Sequence, residues 1–181
     1  MPAPAELRID ELDSPAARAA LPILIDLLQD AVSGGASVGF LPPLALEDAR
    51  RYWEDVIGGL TSNSRVLLAA RLDGRIVGTV QLALETRRNG DHRAEVQKLL
   101  VHSAARRRGI GRALMEAVEQ AARAHRRSLL VLDTRLDDPS DALYRALGYT
   151  EAGRIPGYAR STDGSLHTTV FFYKMLARGI S

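Results

Sequence analysis

The chain reads as a mixed α/β domain of the α+β kind, with a central, mostly antiparallel sheet. Three observations predict it. Apolar residues recur at helical spacing in two early segments. The pattern then changes to short β-like apolar runs punctuated by Asp-Gly and Asn-Gly turn signals. Midway along the chain a strand, a helix and a second strand follow one another closely, a βαβ unit spanning residues 94–134. Its two strands are expected to be parallel with a right-handed crossover. Hairpins before and after it make the remaining pairs antiparallel, and helices flank the sheet. The element order is α-α-β-β-β-α-β-α-β-β.

Each element has a local justification. Ser14-Pro15 has the form of an N-cap followed by proline at the first helical position. Apolar residues run from 16 to 32, and Gly34-Gly35 ends the segment. Pro22 inside that run is expected to kink the helix or to delay its start. Residues 37–43 form a loop. Residues 46–60 make a second helix with Tyr52, Trp53, Val56 and Ile57 on its apolar side, weakened at its end by Gly58-Gly59. Residues 65–72 and 75–85 pair as a hairpin across Asp73-Gly74. A polar loop containing Asn89-Gly90 leads to a third strand over 94–102.

A short basic loop over 104–111 precedes a helix from about 112 to 125. Ile110, Leu114, Ala117, Val118 and Ala121 recur there at helical spacing, and Arg126-Arg127 complement the negative end of the dipole. Residues 128–134 are an apolar run short enough for a buried strand, closing at Asp133. A helix over 140–147 stops at Gly148. Strands over 149–154 and 167–176 end the chain, joined by a loop with the turn Asp163-Gly164.

Bulk composition bounds what such a domain can do. The 181 residues fit one domain with a hydrophobic core, and 46% hydrophobic with 25% charged residues is ordinary for a soluble globular protein. With no cysteine there is no disulfide, no thiolate metal site and no cysteine nucleophile. A net charge of +2 does not describe a general polyanion binder. Residues 1–13 carry acidic side chains and no basic-then-apolar signal pattern, and no apolar run approaches the length of a membrane span. A cytoplasmic protein without a membrane role is expected. The four histidines are scattered without metal-ligand spacing, so no metal is assigned.

The most informative stretch is Arg106-Arg107-Arg108-Gly109-Ile110-Gly111-Arg112-Ala113, between a buried strand and an amphipathic helix. A helix N-terminus offers unpaired N–H groups and the positive end of a dipole. Gly109 and Gly111 let a ligand approach the backbone, and the arginines add charge. This combination suits a pyrophosphate, although a solvated basic loop would have the same composition. It is neither a P-loop nor the dinucleotide fingerprint, because the Gly-Lys-Ser/Thr and the Gly-x-Gly-x-x-Gly order are both missing.

Arg-x-x-Gly-x-Gly after Leu99-Leu100-Val101-His102 resembles the coenzyme A motif of the GNAT acetyltransferase superfamily. Ala142-Leu143-Tyr144-Arg145-Ala146-Leu147-Gly148-Tyr149 resembles its second hallmark, a tyrosine on a short helix before a Leu-Gly-aromatic stop. Gly34-Gly35-Ala36-Ser37-Val38-Gly39-Phe40, Arg93-Ala94-Glu95-Val96-Gln97-Lys98-Leu99, Leu132-Asp133-Thr134, Pro156-Gly157-Tyr158 and Asp163-Gly164-x-Leu166-His167 are similar to the branch containing tabtoxin-resistance acetyltransferases. The resemblance implies one N-acetyltransferase domain over 1–181, with a coenzyme-binding core at about 65–176. It also implies a splayed parallel strand pair whose gap holds the pantetheine arm of acetyl-CoA. Leu99, Leu100 and Val101 would pair with that arm through their backbone, and an N–H near Leu99 would polarise the thioester carbonyl. Backbone amides from Arg107 to Ala113 would hold the pyrophosphate. Asp137 departs from the asparagine common in relatives, and His102-Ser103 from their His-Pro.

Three side chains are candidates for the chemistry. Glu95 shares strand parity with Gln97 and Leu99 until a bulge intervenes, and a carboxylate there can take a proton from an alkylammonium. It would equally serve as a solvent-facing strand residue. Asp133 ends a buried parallel strand, where α/β sheets bind ligands, and is a proton-relay or ammonium partner, or else a turn cap. By the family motif Tyr144 is the candidate general acid toward the departing thiolate, its plain alternative being a packed aromatic.

The leading expectation is therefore direct acetyl transfer, in a ternary complex, from acetyl-CoA to a small-molecule amine, including toxin- or antibiotic-type amines. Alternatives are acetylation of a protein N-terminus or lysine, and a non-catalytic coenzyme A-binding module. One short basic run without interleaved aromatic residues argues against nucleic acid. Relatives often form dimers, which leaves room for a homodimer.

Overall fold

The chain enters its first helix through Leu12 and Asp13, where it departs from the expected cap. The structure, a computed structural model, describes residues 6–177. Among them are strands β1 (Leu7–Glu11), β2 (Arg65–Leu72), β3 (Arg75–Leu84), β4 (Arg93–Val101), β5 (Leu129–Arg135), β6 (Thr150–Arg160) and β7 (Leu166–Met175). The helices are α1 (Ser14–Ala19), α2 (Leu21–Ser33), α3 (Leu46–Thr61), α4 (Ile110–Ala124) and α5 (Pro139–Ala146). The Asp13 carboxylate, not Ser14, caps α1, accepting the Ala16 N–H at 2.8 Å. The single helix expected over 16–32 is two helices broken at Ala20. Pro22 then falls in the first turn of α2, where its missing N–H costs nothing.

One sheet in the order β1-β2-β3-β4-β5-β7-β6 carries the fold. Every pair is antiparallel except β4–β5, as the βαβ unit predicts. Strand β1 was not expected: it is an edge strand with no buried residue, so it lacks the apolar alternation that betrays a half-buried strand. Asp73 and Gly74 both take positive φ, 50° and 81°, as a two-residue hairpin requires. Strand β6 runs on through Arg160, well past residue 154. Pro156 and Gly157 (φ 64°) lie where its pairing with β7 shifts between Ile155 and Ala159. They read as loop residues but are tolerated in a bulged edge strand.

Apolar side chains fill both faces. On one, Ile110, Leu114, Met115 and Val118 of α4, with Tyr144 of α5, pack on Leu82, Val96, Leu130 and Phe172. On the other, α1–α3 cover Leu67, Ala69, Ile76 and Leu100 through Leu24, Leu28, Trp53 and Ile57. Each large side chain so buried contributes about 1.5–3 kcal/mol relative to exposure. Helix α4 begins at Ile110, two residues before the expected start, because Gly109 takes the left-handed conformation (φ 77°) at its N-cap.

Candidate active site

The loop before α4 presents a row of open donors. The N–H groups of residues 107–112 donate to no described acceptor, and Gly109 and Arg107 (φ 60°) turn the backbone so that this row precedes the helix. Unpaired amides at the positive end of a 15-residue helix form an anion cradle. Ala113, expected to join it, does not: its N–H already donates to the Gly109 carbonyl at 3.0 Å. Ile110 offers only its amide, since its side chain is in the core. The arginines divide. Arg107 and Arg108 are exposed, whereas Arg112 sits 3.7 Å from Glu116 one turn along. Arg106 turns back, its Nε donating to the Val101 carbonyl at 3.1 Å.

Behind the loop, α2 anchors the approach. Asp30 accepts the Ser103 N–H at 2.8 Å and its hydroxyl at 2.6 Å. Burial raises the Asp30 carboxyl, but the two Ser103 bonds, with His102 and Arg106 nearby, hold it below the usual range. His102 Nδ1 accepts the Ala104 N–H and its other nitrogen faces Asp26 and Asp30. His125 is the C-cap residue of α4.

The parallel pair opens toward this loop. β4 and β5 are in register only from Arg93↔Leu129 to Glu95↔Val131 and then part. The opening coincides with a bulge: β3 advances from Gln81 to Thr79 while β4 advances from Gln97 to Leu100. Lys98 absorbs the extra residue at φ 51°. Beyond the bulge the faces exchange, so Leu99 and Val101 turn to the α4 side and Leu100 to the α2–α3 side. Of these three residues, Val101 does not present an open carbonyl, since Arg106 occupies it.

At the other end of the opening is a cleft of about 330 Å³. It is lined by Glu95, Gln97, Lys98, Asp133, Asp138 and Tyr144, among others. The three candidate side chains therefore converge, although they come from β4, β5 and α5. Asp133 opens onto the cleft and caps no turn; Asp138 caps α5, accepting the Ser140 N–H at 2.9 Å. Partial dehydration raises the Asp133 carboxyl, Glu95 adds to this, and Lys98 opposes it. Tyr144 is buried against Tyr149 and Phe172, and burial pushes its phenol up to about 12 against the lowering effect of Ser140. It therefore keeps its proton at neutral pH.

Sequence reasoning missed several cleft residues. Lys98 is half-buried. Burial lowers its ammonium from the ordinary lysine range, against the pull of Asp133 and Glu95. Its Nζ lies 5.6 Å from the Tyr52 ring centre. Gln97 is oriented by Arg65, which also bonds Gln81, itself bonded to the Tyr52 hydroxyl. Ser140 joins Asp138 to Thr134 across the cleft wall. A lysine beside a candidate carboxylate was visible, but the bulge that aims it was not. Residues 36–39 roof the cleft, held down by Phe40 packing edge-on against Tyr52 at 5.5 Å.

Comparison with known proteins identifies the family and the fold. The model of the acetyltransferase (GNAT) family matches residues 24–149. The chain is 40% identical over 114 residues to an uncharacterized N-acetyltransferase of the hisH-hisA intergenic region of Azospirillum brasilense. That match covers 62% of this chain and 66% of the relative. It is 37% identical over 92 residues to an IAA acetyltransferase of the same organism, covering 50% and 58% of the two chains. The matched stretch thus spans less than two thirds of either curated relative. In fold it is similar to Salmonella typhimurium yncA, solved with its cofactor acetyl-CoA, at a TM-score of 0.78 and 17% identity over 97% of both chains. The family model covers more than half of the chain, over the stretch that holds the loop before α4, the parted strands and most of the cleft lining, and the chain belongs to the acetyltransferase (GNAT) family.

Proposed function

We propose that the protein is an acetyl-CoA-dependent N-acetyltransferase that acetylates a small-molecule amine by direct transfer in a ternary complex. One observation carries the reading. The opening between β4 and β5 runs from six unpaired amides at one end to a cleft with the carboxylates of Glu95, Asp133 and Asp138 and a neutral phenol at the other. A long thioester with a diphosphate at its far end matches both ends at once.

The residues then have distinct work. The amides of residues 107–112, with Arg107 and Arg108, hold the diphosphate. The backbone of Leu99 and Leu100 lines the pantetheine path, and the Leu99 N–H stabilises charge developing on the thioester oxygen. Bound acetyl-CoA supplies an activated acetyl group and a thiolate leaving group. Glu95 and Asp133 draw the acceptor's ammonium into the cleft, and one of them takes its proton. The new N–C bond forms as the C–S bond breaks; Tyr144 gives its phenolic proton to the departing sulfur and is reprotonated as the new amide nitrogen loses its second proton. A cleft this small, roofed by residues 36–39, suits a small acceptor better than a protein chain. Toxin-type amines fit that description, and the cytoplasm is the compartment that supplies the donor.

The test is thiol release from acetyl-CoA over amino acids, polyamines, aminoglycosides and β-lactam amines. Tyr144→Phe and Glu95→Gln are each expected to lower kcat roughly a hundredfold while calorimetry still detects acetyl-CoA binding. Wild-type rates in both variants would remove these roles. Absence of any affinity for acetyl-CoA would overturn the reading altogether.

A further inference from the structure

Next to the cleft lies a second, larger cavity of about 670 Å³. Ala36, Ser37, Gly39 and Ala159 line both, so the two spaces share a wall and a rim. Their charges are opposite. The inner cleft has three carboxylates, Glu95, Asp133 and Asp138, against the single ammonium of Lys98. The outer cavity has two guanidinium groups, Arg135 and Arg160, against the single carboxylate of Asp163. That carboxylate is held by the Ser165 N–H and hydroxyl, as Asp138 in the cleft is by those of Ser140, so each space keeps its net sign. His167 and the hydroxyls of Ser161 and Thr162 add polar donors to the outer wall.

The sheet fixes the separation of the two charges. Glu95 pairs with Val131, and Asp133 and Arg135 follow it at two-residue steps on β5, so all four share one face. Asp133 and Arg135 are therefore neighbours along that face, with backbones roughly 7 Å apart. Arg135 makes no ion pair or hydrogen bond with another described side chain. Arg160 uses one nitrogen on the Gly164 carbonyl at 2.7 Å, which steadies it at the cavity edge and leaves its other donors open.

We infer that the acceptor is an amine carrying an oxyanion, its ammonium held by Asp133 and Glu95 and its oxyanion by Arg135 and Arg160. A single dipolar molecule lying along the β5 face satisfies both charge sets. A simple amine would leave the two guanidinium groups with Asp163 as their one carboxylate in the cavity, and a polycation would meet them with like charge. This assignment deepens the acetyltransferase reading and rests on it.

Thiol release measured over three matched sets tests it: amino acids of differing amine-to-carboxylate spacing, the corresponding carboxamides, and aminoalkyl phosphonates. The best acid or phosphonate is expected to exceed its neutral counterpart in kcat/KM by about tenfold or more. Acids against phosphonates show which oxyanion the cavity takes. Arg135→Met should collapse that ratio, chiefly through KM, and Arg135→Lys should restore part of it. Arg160→Met, at an exposed position, gives the same readout should Arg135→Met fail to fold. Equal rates for acids and amides, or an unchanged ratio in both methionine variants, overturn the inference while leaving acetyl transfer standing. Absence of transfer to every amine, charged or neutral, overturns both.

Discussion

Lys98 combines an unusual backbone with an unusual environment. A non-glycine residue at positive φ costs on the order of 1–3 kcal/mol and persists only where its surroundings enforce it. Here the enforcing element is the extra residue of β4, which places an ammonium beside Asp133 and Glu95. The Lys98 charge favours the ionised form of Asp133, against dehydration and Glu95. Lys98→Met removes that support, so Asp133 should titrate at a higher pH than in the wild type. If proton uptake needs the carboxylate, the acid limb of the kcat/KM profile moves up in pH. A pH–rate series on both proteins measures this, and coincident acid limbs would show that Lys98 does not govern Asp133. Asp133 was singled out in the sequence because it closes an apolar run, whereas Glu95 and Tyr144 were singled out by their resemblance to family motifs. Lys98 was not, because exposed lysines are common and only the bulge makes this one half-buried.

At the scale of elements, β3 leaves no room for a side chain against β4 and α4 at Gly78. A Cβ built there would lie 2.8 Å from the Leu100 carbonyl and 3.2 Å from Leu114 of α4. Neither neighbour has room to retreat, since Leu100 is held between bulge and helix layer and Leu114 is buried. Gly78→Ala should therefore cost about 1–3 kcal/mol by overpacking, measured by urea unfolding. It should also raise the KM for acetyl-CoA, because the strand that moves leads directly into the basic loop before α4. A wild-type KM in a destabilised variant would uncouple the two. An isolated glycine in a strand pattern is the available signal for such a contact. The helices and central strands were legible from their periodicity. β1 and the far half of β6 were not: edge strands bury little, and Pro156 with Gly157 imitates a turn. The division of α1 from α2 followed from Pro22, but the cap at Asp13 depended on which side chain reached Ala16.

Across the whole molecule, a largely buried ion pair ties β7, α4 and the end of α5 together. Lys174 of β7 donates to both Glu119 oxygens of α4, at 2.7 and 2.8 Å, and to the Leu147 carbonyl after α5 at 2.6 Å. Glu119 is buried, and Lys174 also lies over the Tyr149 ring at 5.3 Å. Lys174→Met should destabilise the fold by about 3 kcal/mol, because it strands a buried carboxylate that Arg123, 3.8 Å away, only partly compensates. Lys174→Met combined with Glu119→Leu should recover much of that loss, since no buried charge is then unpaired. Denaturant midpoints of the three proteins check both statements. If the double variant is as unstable as the single one, the pair's hydrogen bonds outweigh the relief of the stranded charge.

Local chemistry is written along the chain, and it determined the fold class, the basic Gly-x-Gly turn before a helix, and the conspicuous acids and tyrosine. These depend on residue spacing within one element or one loop, which a linear string records. The tertiary structure alone decided where β4 and β5 part, which arginines remain open, that Lys98 enters the cleft, and that an outer cavity of opposite charge adjoins it. Each of those depends on register and on the packing of residues far apart in sequence. A shift of one residue in pairing turns a side chain to the opposite face of a sheet, and no local pattern encodes that choice.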